Sequence, residues 1–109
     1  MSSGIFLSNI RSKGDIGGVF ESDGAVSYFY LYDLSNEQGK VLSAIHVQSG
    51  VPDFSDTEIE IRWNLNEHAV GLYIKGHLWA VFSSNGAKYG GNYEPDGDPN
   101  ISAELKSSF

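Results

Sequence analysis

The chain has 109 residues, 40% hydrophobic and 13% aromatic, and its 14 acidic against 7 basic side chains give a formal net charge of −7. A chain of this length is expected to form a single domain, residues 1–109, around one core. The absence of cysteine excludes disulfides, thiolate chemistry and cysteine-ligated metal sites.

In chain order, the start Met1-Ser2-Ser3-Gly4 lacks a basic leader, and Ile5 to Ile10 reads as an edge strand. Gly14-Asp15-Ile16-Gly17-Gly18 reads as a flexible bend before a short strand, Val19 to Glu21. In Val26 to Leu34, Tyr28, Tyr30 and Tyr32 share one face and Phe29 and Leu31 the other, a pattern suited to a sheet. Val41 to Gln48 places Val41, Ile45 and Val47 opposite Leu42, Ala44 and His46, which predicts a central strand covered on both faces. The clearest alternation runs from Thr57 to Leu65, with Ile59, Ile61, Trp63 and Leu65 on one side. Val70, Leu72 and Ile74 continue it, and Lys75-Gly76 predicts a tight hairpin into Leu78, Ala80 and Phe82. Turn residues at Ser22-Asp23-Gly24, Asn36-Glu37-Gln38-Gly39, Asn66-Glu67-His68 and Ser84-Asn85-Gly86 separate these segments. The tail suits either a short C-terminal helix (Ile101, Leu105, Phe109) or a last strand (Ile101, Ala103, Leu105). Short connections favour antiparallel neighbours, so the expected fold is all-β: an antiparallel meander forming a sandwich or flattened barrel.

Chemical motifs are weak. His46, His68 and His77 fall into no zinc spacing, so no metal is expected. Asp96-Gly97-Asp98-Pro99-Asn100 begins like a calcium loop but has Ile101 where glycine and Ser107 where a bidentate glutamate are needed. The glycines at 14, 17 and 18 match no nucleotide-binding loop, and no cofactor is expected. A hydrolase built from Glu21, Asp33 and His46 would require those three to converge, and no serine sits in a nucleophile-elbow motif; an enzyme is not expected. Seven scattered basic residues make a poor footprint for nucleic acid, and no run approaches the roughly 20 apolar residues of a membrane span. A reducing cytoplasm suits the chain. An acidic protein is a natural partner for a basic one. The candidate contacts are the carboxylates Asp53, Asp56, Glu58 and Glu60 beside Phe54 as an aromatic anchor, with Glu94, Asp96 and Asp98. The alternative is a small-ligand module holding an apolar or sugar ligand among Tyr28, Tyr30, Tyr32 and Trp79, with Tyr73 a further member of the aromatic face.

Gly18-Val19-Phe20-Glu21, Asp23-Gly24, Tyr28-Phe29-Tyr30, Asp33, Ala44-Ile45-His46-Val47, Ile61-Arg62-Trp63, Leu72-Tyr73-Ile74 and Ala80-Val81-Phe82 together resemble a family of small bacterial proteins classed as a domain of unknown function. The resemblance spans Gly18 to Tyr93, implies the fold, and brings no catalytic residues with it. By type the chain also resembles the immunity proteins of bacterial contact-dependent inhibition systems, which are small and acidic and lack active-site signatures. That resemblance implies a basic, nuclease-type toxin domain as partner, neutralised by covering its active site.

Overall fold

A computed structural model describes residues 4–35 and 39–109; the segments 1–3 and 36–38, with the reading of the chain's start and most of the turn Asn36-Glu37-Gln38-Gly39, lie outside the described residues. Strands β1 (Ile5–Ile10), β2 (Ile16–Ser22), β3 (Val26–Asp33) and β4 (Lys40–Ser49) form one antiparallel sheet in chain order. A second antiparallel sheet holds β5 (Ile59–Trp63), β6 (Ala69–Ile74), β7 (His77–Ser83) and β8 (Lys88–Gly90), again in chain order. A 3₁₀ turn (Asp56–Glu58) leads into β5, and a short helix α1 (Ala103–Ser107) follows the sheets, which settles the tail as helix.

The two sheets stack face to face. Phe20, Phe29 and Leu31 from the first sheet meet Val70, Leu72, Ala80 and Phe82 from the second, all fully buried. At β2 the sheets approach so closely that a Cβ on Gly18 would lie 2.9 Å from Val70 and 3.0 Å from Ile61. Gly17 and Gly18 therefore belong to β2, and the expected flexible bend is confined to the turn before it. On one flank, Asn9 Nδ2 donates to the Ile61 carbonyl at 2.8 Å and Trp63 Nε1 donates to the Asn9 carbonyl at 2.9 Å. On the other flank the chain leaves β8 and crosses to β4: Asn92 N–H donates to the His46 carbonyl at 3.0 Å and Tyr93 N–H to that of Val47 at 2.6 Å. The result is a sandwich whose flanks are stitched without closing into a barrel.

Three bulges, two between β3 and β4 and one between β6 and β7, reverse faces that simple alternation assigns. β4 lies at the edge of its sheet, and its register with β3 shifts between Leu31 and Tyr32, so Val41 and Leu42 are exposed at 47% and 43%. An extra residue in one strand inverts the parity of everything beyond it. The same happens in β7, where the register shifts between Leu72 and Tyr73. Leu78 consequently faces outward with Val81 and Ile101, while Ala80 and Phe82 face the core. Leu65, expected on the buried face of β5, is 99% exposed because the strand ends at Trp63. The Lys75-Gly76 hairpin is as expected, with φ of 52° and 82°, the positive pair that a two-residue turn matched to strand twist requires.

The outer faces differ. That of the second sheet is covered by the tail, whose Leu105 and Phe109 pack with Ala69, Tyr73, Leu78 and Val81. Gly71 makes room for this, since a Cβ there would lie 2.6 Å from Leu78 and 3.1 Å from Phe109. The outer face of the first sheet carries the exposed side chains Phe6 and Ile10.

One end of the sandwich is held by polar contacts. Arg11 makes a two-pronged ion pair with Asp15, 2.7 Å at both prongs, and Nη1 donates to the Glu67 carbonyl at 3.1 Å in the β5–β6 turn. Pairing with Arg11, helped by the Ile16 amide at 2.9 Å, holds the Asp15 carboxyl well below the usual carboxylate range despite the opposing effect of burial. A carboxyl depressed on folding stabilises the fold above its unfolded pKa and loses that contribution as pH falls through the folded value. The urea midpoint of the wild type should therefore fall more steeply than that of Asp15→Asn on acidification below about pH 4. Parallel slopes would mean that the pair contributes nothing.

Candidate functional site

Tyr93 lies where the two acidic segments of the sequence meet. Its backbone is pinned to β4, and its ring packs edge-on against Phe54, with centroids 5.3 Å apart, and against Trp79, at 4.8 Å. Burial raises its phenol pKa, and the charges of Asp53, Glu58 and Asp96 raise it further. Three carboxylates that sit 43 residues apart in sequence at their extremes thus act on one hydroxyl. Asp56 is exposed on the 3₁₀ turn, and Glu94 and Asp98 are exposed on the loop that carries Asp96.

The remaining predicted contacts divide. Phe54, expected as an exposed anchor, is 6% exposed and packs on Phe20 and Tyr93, so it fastens the acidic loop to the core and cannot reach a partner. Glu58 accepts from the Ser55 amide at 2.9 Å, capping the 3₁₀ turn. Glu60 lies on β5 and is paired with Arg62 at 2.7 Å. Asp98 accepts from the Asn100 amide at 2.8 Å, which makes the calcium-like loop a self-bonded turn. Beside the patch, an open groove of about 740 Å³ is lined by Lys75, His77, Trp79, Tyr93, Asp96 and Lys106 among others. Lys75 Nζ lies 3.8 Å from Asp53, a loose exposed pair.

The tyrosine face is an outer face. Tyr28, Tyr30 and Tyr32 are half-buried, and Tyr28 and Tyr30 stack at 5.8 Å. Tyr30 and Tyr32 line a shallow groove of about 550 Å³ with Phe6, Ile10, Val19, Leu34 and Val41. Burial raises the Tyr30 phenol, and the charge of Glu21 adds to it. Trp79 is in the core and Tyr73 on the other sheet, where Arg62 covers its ring at 4.6 Å, so neither joins this groove.

Glu21, Asp33 and His46 do not converge. Asp33 pairs with Lys40, whereas His46 pairs with Tyr28, five residues back along β3, or roughly 17 Å. Glu21 also pairs with Tyr28 and so stands two strands from His46. Among the described residues no group of three or more histidine and acidic side chains could hold a metal ion. His46 instead bonds two residues that sequence reading passed over: its Nε2 lies 3.0 Å from Ser49 Oγ and its Nδ1 3.2 Å from Asn92 Oδ1. The available signal was Gly90-Gly91, a pair of glycines before Asn92 and Tyr93 that marks a close backbone crossing.

Comparison with known families matches residues 2–103 to a family described as an uncharacterized protein conserved in bacteria (DUF2251). Neither the curated proteins nor the solved structures contain a match. Among the described residues no helix is long and apolar enough to cross a membrane.

Proposed function

The chain belongs to this bacterial family, and on that premise we propose that it is an acidic binding protein that neutralises a basic protein partner, acting as the immunity protein of a nuclease-type toxin by covering its active site. The observation that carries this reading is the packing of Phe54 against Tyr93, which brings the segment of Asp53, Asp56 and Glu58 together with that of Glu94, Asp96 and Asp98, all six carboxylates being exposed. Carboxylates held on a braced surface can take the place of phosphates in a basic cleft and speed encounter with it. With Phe54 buried, Val51, two residues before Asp53 and 72% exposed, is the large apolar side chain left open beside the patch in sequence.

The test uses the whole chain as bait in a lysate of its native bacterium, at low and at moderate salt, beside an Asp56→Lys, Asp96→Lys double variant. Both residues are exposed, and neither caps a turn. A basic protein should be retained by the wild type, released as salt rises, inhibited by the chain at a one-to-one ratio, and bound about a hundredfold more weakly by the double variant. Equal retention by both proteins would remove this surface from the reading.

A second reading is favoured by the groove over Tyr30 and Tyr32, whose lining of Phe6, Ile10, Val19 and Val41 suits a small apolar ligand. If no basic protein is captured, this groove becomes the better site.

A further inference from the structure

We propose that His46 and Asn92 activate Ser49 as a nucleophile, making it the acceptor of acyl groups from small activated esters. The site lies on β4 and the crossing strand, and the proposal does not depend on the acidic patch.

The geometry fixes the direction of the proton relay. An amide oxygen only accepts, so in the neutral imidazole Nδ1 carries the proton donated to Asn92 Oδ1 at 3.2 Å. The Nε2 lone pair is then free to accept from Ser49 Oγ at 3.0 Å. A hydroxyl bonded to a base, with the base oriented by a third group, is the arrangement that nucleophilic catalysis needs.

Separate constraints hold each member. The β3–β4 register shifts at Val47, so that His46 stands opposite Tyr28 and Ser49 opposite Val26, and the bulge lets residues three apart share one face. Asn92 arrives from the other sheet in a left-handed conformation, φ 50°, and its own amide is bonded to the His46 carbonyl. Before it, Gly91 passes so close that a Cβ would lie 2.5 Å from Ile45 Cγ2. The rings of Tyr28 and His46 meet nearly at right angles, their centroids 5.5 Å apart. Ser49 is exposed while the imidazole is half-buried, so the nucleophile is accessible and its base is partly shielded.

Two other hydroxyls supply the contrast. Ser12 donates to Glu67 and Ser35 to Asp33, but both carboxyls are held below their ordinary range by these and neighbouring hydrogen bonds and are poor proton acceptors. The His46 imidazole instead presents a ring-nitrogen lone pair to the Ser49 hydroxyl, with no other donor on that nitrogen among the described residues. The surroundings limit the substrate. The amides of Gly50, Gly91, Asn92 and Tyr93 are all bonded to carbonyls and cannot stabilise an oxyanion. The site therefore suits an ester with a good leaving group, not a peptide. Ser49 Oγ attacks the carbonyl carbon and its proton passes to Nε2. The bond to the aryloxide breaks, and the imidazolium returns the proton to it, leaving acyl-Ser49 and neutral His46.

The experiment incubates the full chain with p-nitrophenyl acetate across neutral pH and maps acetylation by mass spectrometry. Ser49 should be acetylated on the order of 10²-fold faster than Ser12 or Ser35. His46→Gln should reduce Ser49 to the level of the other serines. Asn92→Ala should slow it and Asn92→Asp restore it, with folding checked by circular dichroism. Labelling of Ser49 no faster than the other serines, or unchanged in His46→Gln, overturns the proposal. Nitrophenolate release that persists in Ser49→Ala assigns the nucleophile to the imidazole itself and overturns it equally.

Discussion

Replacing Phe82 by alanine should lower the unfolding free energy by about 3–5 kcal/mol, the cost of deleting a buried aromatic ring and leaving its cavity. Phe82 is fully buried at the centre of the sandwich, opposite Val70 on β6, with its ring 5.0 Å from that of Phe29 across the gap between sheets. The neighbouring side chains are anchored in two different sheets and cannot collapse into the void together. Since a chain of this size has a total stability of about 5–15 kcal/mol, the variant should be largely unfolded at moderate urea concentrations. Leu65→Ala is the control: it removes an apolar side chain of comparable type, 99% exposed, and should change stability by less than about 0.5 kcal/mol. Urea denaturation of both variants measures the difference. Equal midpoints would mean that the core does not lie between these sheets.

Gly90→Ala should cost about 3 kcal/mol, although it adds a single methyl group. Gly90 has φ of 78°, and a Cβ there would sit 2.3 Å from the carbonyl oxygen of Trp79. The obstacle is backbone belonging to the neighbouring strand, so relief requires β8 to separate from β7. Gly86→Ala supplies the comparison, because Gly86 also has a positive φ, 95°, but nothing lies within 4 Å of its Cβ position. That variant should lose only the conformational term, about 1–2 kcal/mol. The difference between the two isolates the close approach of β8 to β7. The same variant should also loosen the crossing that carries Asn92 and Tyr93, and with it the alignment of the two acidic loops.

Much of the fold was legible because its signals are local. Ile59, Ile61 and Trp63 alternate with Glu58, Glu60 and Arg62, and the first three are buried or half-buried on β5. Lys75-Gly76 makes the expected hairpin. The three-residue strand β8 was not legible, since Lys88–Gly90 has no alternation to read. Of the candidate contacts, Asp53, Asp56, Glu58, Glu94, Asp96 and Asp98 lie on the two segments that meet near Tyr93, whereas Glu60 is engaged with Arg62. Phe54 was misjudged because a loop position with acidic neighbours gives no local sign of burial; the Phe20 and Tyr93 rings that cover it are distant in sequence.

By itself the sequence determined the all-β class, the antiparallel order, the acidity and the family, since backbone alternation, turn chemistry and charge are properties of neighbouring residues. The tertiary structure alone decided which faces the bulges inverted, which outer face the tail covered, and that the strand after β8 would cross to β4. Those depend on register and on close backbone approach between segments far apart in the chain. A one-residue shift there exchanges buried for exposed side chains and sets Ser49 on the face of His46, while the crossing brings Asn92 to the same imidazole.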